Sequence, residues 1–115
     1  MRSGWLLRDG DVVCALETAE TKEERARALR GRDSCEGSLY LPDVRVVHTF
    51  GMHFSLDVAF LSEDLTVLRL ARVVPRRFIL PPRAAHSVVE AQAGSWERWD
   101  VTVGDQFDIR EVETG

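Results

Sequence analysis

Residues Val46 to Leu61 read V-V-H-T-F-G-M-H-F-S-L-D-V-A-F-L, and the alternation in this stretch decides the fold. Its even-numbered positions include Phe50, Met52, Phe54, Leu56, Val58 and Phe60. Its odd-numbered positions include Thr49, Gly51, His53, Ser55 and Asp57, before Ala59 and Leu61 close the run. A period of two belongs to extended chain with one face buried and one face open. The expectation is a strand that buries Phe50 and Phe60. Thr49, His53 and Asp57 would then share the open face.

The flanking sequence supplies short strands and turns. Trp5 to Arg8 and Val12 to Leu16 are apolar runs split by Asp9-Gly10-Asp11, a hairpin signal. Thr21-Lys22-Glu23-Glu24 has the form of a capping box, and predicts one main helix over about 22–30, ended by Gly31. Ser38 to Leu41, Thr66 to Arg72, Ser87 to Ala91 and Phe107 to Val112 read as strands. Phe78 to Leu80 reads as a brief edge strand between prolines, and Gly94 to Trp99 as a single helical turn. The predicted class is α+β, mostly β: a small barrel-like or rolled antiparallel sheet of about six to eight short strands with one main helix.

The totals narrow the function. A chain of 115 residues fits one domain, 1–115, with 44% hydrophobic and 30% charged residues. The net charge of −4 gives no general drive toward nucleic acid or acidic membranes. Cys14 and Cys35 are too few for a disulfide framework, and read as two independent thiols. No apolar run reaches the ~20 residues of a membrane span, and the first residues carry no apolar core of signal-peptide length. The expected location is cytoplasmic.

His48-Thr49-Phe50-Gly51-Met52-His53-Phe54-Ser55-Leu56-Asp57-Val58-Ala59-Phe60-Leu61 resembles the central motif of the family known as domain of unknown function 192. Thr18 to Arg32, with Glu24-Arg25-Ala26-Arg27-Ala28-Leu29, is similar to that family's helix, Val89-Glu90-Ala91-Gln92-Ala93-Gly94 to its V-L-E-L-P-A-G element, and Val103-Gly104-Asp105 to its late G-D turn. The likeness covers about residues 18–108. It implies a small β-rich, barrel-like domain with a short helix, and no established activity. His53 stands where that family usually has arginine, Ser55 where it has proline, and Ala28 where it has glycine.

Asp57 is the most informative residue, because aspartate is disfavoured inside an apolar strand and needs a partner there. Two readings stay open: it accepts hydrogen bonds from a loop backbone or an arginine, or it is a site carboxylate. His53 and Asp57 would lie ~13 Å apart in a straight strand, at about 3.3 Å per residue, too far for a direct hydrogen bond. Residues 65–89 hold Arg69, Arg72, Arg76, Arg77 and Arg83 and no acid, whereas 90–115 hold seven acids and two arginines.

The residues singled out for ligand binding are Thr49, His53, Asp57, Arg76, Arg77, Glu90 and Trp96. Neither a metal nor a cofactor is expected, since His48 and His53 would point to opposite faces of a strand. The expected function is a non-catalytic ligand-binding or protein-interaction module. Its partner would be a small polar or anionic ligand or a protein; a membrane is not expected, nucleic acid is disfavoured, and an oligomer is open. The alternative is a small enzyme using Asp57 with a histidine in acid–base roles.

Overall fold

The computed structural model describes residues 1–43 and 46–112. In chain order the elements are β1 (Arg2–Arg8), β2 (Asp11–Thr18), α1 (Lys22–Arg27), β3 (Ser38–Leu41), β4 (Val47–His48), β5 (Leu56–Leu61), β6 (Val67–Val73), β7 (Phe78–Ile79), β8 (Ser87–Gln92), α2 (Ser95–Arg98) and β9 (Phe107–Glu111). Seven strands form one sheet in the order β6-β5-β8-β3-β2-β1-β9, and β4 and β7 form a separate two-stranded ribbon. The class is mostly β with short helices, as expected.

Local sequence explains the first elements. Asp9 and Gly10 both adopt positive φ, 53° and 83°, the conformation a two-residue turn needs to match the twist of its strands. At α1 the Glu24 amide donates to Thr21 Oγ1 (3.0 Å) and the Thr21 amide to Glu24 Oε1 (3.2 Å). The helix stops at Arg27, short of the expected residue 30. Beyond it the Gly31 amide donates not to the helix but to Gly51 O (2.9 Å), tying the helix end to the motif loop.

One pairing departs from the antiparallel expectation. β2 and β3 run parallel, Leu16 opposite Ser38, because the connection between them crosses over through α1. The sheet also rolls until its edge strands touch at one end. Thr66 bridges Gln106, the Val67 amide donates to Asp105 O (2.7 Å) and the Phe107 amide to Leu65 O (2.9 Å). It does not close into a barrel.

Both faces of the central strands are covered. Leu56, Val58 and Phe60 of β5 pack with Leu39, Leu41 and Val88 under Ala28, Leu29 and Val47. Ala59 and Leu61 pack on the other face with Leu6, Leu16, Trp96 and Phe107. The face expected to be open is therefore buried, because the rolled sheet and α2 close over it. Phe60 is buried as expected, but Phe50 is 51% exposed. The regular strand begins only at Leu56; ahead of it the chain turns at Gly51, so the alternation does not report facing there.

Cys14 and Cys35 are both free thiols. Burial raises the Cys35 thiol to about 11, with the nearby Glu90 carboxyl pushing the same way. Among the described residues, no helix is long and apolar enough to cross a membrane.

Candidate functional site

The motif stretch divides into a clamp, a turn and a strand. Thr49 is fully buried and is the clamp. Its hydroxyl donates to Val74 O (2.6 Å) and accepts from the Arg77 amide (3.0 Å), while its own amide donates to Arg77 O (2.8 Å). Its carbonyl accepts from the amides of Met52 and Arg76, both at 3.2 Å. These bonds pin the loop before β5 to the segment before β7.

Gly51 makes the turn at φ +83°. A Cβ there would stand 3.1 Å from Arg30 Cγ and 3.2 Å from Nε. The backbone conformation favours glycine here, and a side chain would in addition press on Arg30.

Asp57 is buried and fully engaged. Oδ2 accepts from the amides of Gly94 (2.9 Å) and Trp96 (3.1 Å), and Oδ1 accepts from Arg72 Nε (3.2 Å). The carboxylate thus holds the α2 turn against β5, satisfying backbone donors at the start of a helical turn. Of the two sequence readings, the geometry matches the partnered, architectural one. No hydrogen bond joins Asp57 to a histidine among the described residues. His53 instead meets Asp33 at the surface, Nδ1 to Oδ1 3.1 Å.

Glu90 is the contrasting carboxyl. It sits on β8 opposite Leu39 and Val58, facing the same core as Leu29 and Phe60. It is buried, and Oε2 has no hydrogen-bond partner among the described residues. Burial pushes its carboxyl up to about 8, so the group is mostly protonated at neutral pH. An unpartnered buried acid is costly and its presence needs a reason.

Glu90 lines a cavity of about 260 Å³ between α1, the motif loop and the sheet. Leu29, Leu41, Val47 and Met52 give the cavity apolar walls, and Arg25, Arg30, His48 and Phe50 also line it. Arg30 and His48 are exposed and stand at its mouth.

The seven expected ligand residues are not brought together. Thr49 and Glu90 belong to the α1 face of the sheet, Asp57 and Trp96 to the opposite face, and His53, Arg76 and Arg77 to the surface. Thr49 and Asp57 are consumed by structural bonds, so they do not line an open surface with His53. Asp57, Arg72, Trp96 and Glu97 border a second cavity of about 320 Å³. Arg25, Arg30, His48, Phe50 and Met52 were missed as lining residues. Glu90 carries the same sequence signal as Asp57: a carboxyl between Val89 and Ala91 in an apolar strand.

Residues 5–109 match the family model DUF192, described as "Uncharacterized ACR". The UPF0127 protein of Pyrococcus furiosus is 37% identical over 62 residues, 54% of this chain and 53% of that protein. The UPF0127 protein of Thermococcus sibiricus is 34% identical over 62 residues, 54% of this chain and 40% of that protein. The chain spans about half the length of the curated relatives it matches. Two crystal structures share the fold. A Sinorhizobium meliloti 1021 protein, named a candidate transcription regulator, has a TM-score of 0.78 over 94% of this chain and 92% of its own, at 19% identity. A protein of unknown function from Novosphingobium aromaticivorans has a TM-score of 0.75 over 94% and 84%, at 22% identity.

Proposed function

The chain belongs to the DUF192 family, and from that premise we propose that it is a non-catalytic binding module whose ligand occupies the cavity beneath α1. The observation that carries this reading is the buried, unpartnered Oε2 of Glu90 against an apolar cavity of about 260 Å³. A neutral carboxyl both donates and accepts a hydrogen bond, so it suits a hydroxyl or amide at the inner end of a ligand. The walls suit an apolar body. Arg25 and Arg30 suit an anionic group at the outer end and disfavour a cation. The volume is just below the range of drug-sized sites, which points to a small molecule.

Binding is favoured over catalysis because the reactive groups do not converge. Asp57 has its oxygens filled by Gly94, Trp96 and Arg72. His48 stands at the exposed mouth while Glu90 is buried, and no hydrogen bond links them among the described residues. Acid–base chemistry needs groups within hydrogen-bond reach of one reacting atom.

Thermal shift with hydroxyoctanoate, octanoate, octanol and octylamine tests the reading. The hydroxy acid is expected to raise Tm most and the amine not at all; a ligand at a hundred times its Kd stabilises by about 2.7 kcal/mol. Glu90→Leu should remove the preference for the hydroxy acid over octanoate. A flat response to all four, or turnover of any, overturns it.

A further inference from the structure

The ribbon of β4 and β7 has two faces. Val47 pairs with Ile79, and both turn inward onto the core. His48 pairs with Phe78, and both turn outward. Val46 and Leu80 extend this outer face at the strand ends, and the Phe50 ring lies 5.8 Å from that of His48. Phe78 is 63% exposed and Leu80 64%. Scattered apolar residues on a surface are ordinary, but a contiguous set marks a contact surface.

Cations surround the set. Arg30 lies against Gly51 beside Phe50, Arg76 and Arg77 precede Phe78, and Arg69 reaches the Leu80 carbonyl (3.5 Å). None of these four makes an ion pair among the described residues, whereas Arg2, Arg8 and Arg72 do. An apolar patch ringed by uncompensated arginines fits an apolar surface that carries negative charge.

We propose that this face seats on a bilayer containing anionic lipid, with Phe50, Phe78 and Leu80 entering the interface and the arginines meeting lipid phosphates. Pro81 and Pro82 favour a bilayer over a peptide strand laid along β7. They lack the N–H donors that an added strand would need. The same lack lowers the cost of immersing that segment where water is scarce. The net charge of −4 does not oppose the contact. Residues 65–89 hold no acid, and fields from exposed charges decay within ~10 Å at about 0.1 M salt. The contact does not require that the cavity bind a ligand, although Val46, His48, Phe50 and Arg30 border both.

Co-sedimentation with vesicles of phosphatidylcholine alone, and of phosphatidylcholine mixed with phosphatidylglycerol, tests the proposal at about 0.1 M salt. Pelleting is expected only with the mixed vesicles, and is expected to be lost near 1 M salt. Phe78→Ser/Leu80→Ser and Arg76→Glu/Arg77→Glu should each weaken it by roughly tenfold or more, with Tm of the free protein unchanged. Arg110→Glu, on β9, should leave it intact. No pelleting with mixed vesicles, or pelleting that survives both double variants, overturns the proposal. An oligomer in light scattering that Phe78→Ser/Leu80→Ser dissolves would assign the patch to a second copy instead.

Discussion

Asp57 and Glu90 lie one step apart in register on adjacent strands, yet face opposite sides of the sheet: Asp57 pairs with Ala91, and Glu90 with Val58. The two carboxyls have opposite surroundings. Asp57 is supplied with two backbone donors and an arginine. Glu90 Oε2 has none among the described residues. A carboxyl with three donors serves the architecture. Burial without donors pushes the second toward its protonated form.

Asp57→Asn is expected to destabilise the fold by about 2–3 kcal/mol in urea unfolding, since it weakens charge-assisted bonds to buried amides. Arg72→Ala should cost under about 1 kcal/mol, because that side chain is 53% exposed. Equal losses for the two variants would show that the ion pair, not the α2 clamp, matters.

Glu90 makes stability depend on pH in a defined direction. Its ordinary value is 4.5, and it rises to about 8 in the fold. Between those values the unfolded chain has lost a proton that the folded chain keeps, so rising pH favours unfolding. The contribution is fully present below about pH 4.5, falls by up to ~1.4 kcal/mol per unit, and levels off above about pH 8. Glu90→Gln should flatten this slope in melts across the same window. A slope that persists in the variant assigns it to another group.

Thr49→Val should cost about 1–3 kcal/mol by leaving the Arg77 amide without its hydroxyl acceptor in a buried site. Thr49→Ser keeps the hydroxyl and should lose less. Amide exchange at Arg77 reads the effect directly, and should accelerate in the valine variant alone.

Gly51→Ala combines two penalties. The positive φ costs about 1–2 kcal/mol by itself, and the new methyl meets Arg30. Arg30→Ala in the same chain should recover the contact part but not the backbone part. Gly31→Ala, at φ +75° with nothing within 4 Å, should show the backbone part alone. Denaturant unfolding of the three variants separates the two.

Local chemistry was legible in the sequence where neighbours in the chain supply it. The Thr21–Glu24 capping box and the Asp9-Gly10 turn depend only on residues a few positions apart, and both are present as read. The β5 alternation correctly sorted Leu56, Val58 and Phe60 onto one side. It could not say that the other side is also covered, because that depends on Trp96, Leu6 and Phe107 arriving from distant segments. The same alternation misplaced Phe50, since a turn at Gly51 looks like strand when only polarity is counted. Asp57 was identified as needing a partner; that the partners are backbone amides of α2 is a tertiary fact. The cavity was not legible for the same reason. Its wall comes from α1, its floor from β8 and its mouth from the motif loop, which no spacing rule connects.

β1 lies between β2 and β9, and Arg2 is hydrogen-bonded to Glu111, 109 residues away (2.8 Å). Among the described residues it is β9 that covers the outer edge of the β1–β2 hairpin, so that edge stays bare until β9 has been made. At ~5–20 residues per second, that edge waits several seconds during synthesis, open to pairing with a neighbouring chain. The seam between Thr66 and Gln106 waits for the same strand. Weakening β9 uncovers the β1 edge again, so such variants should show it as aggregation during expression.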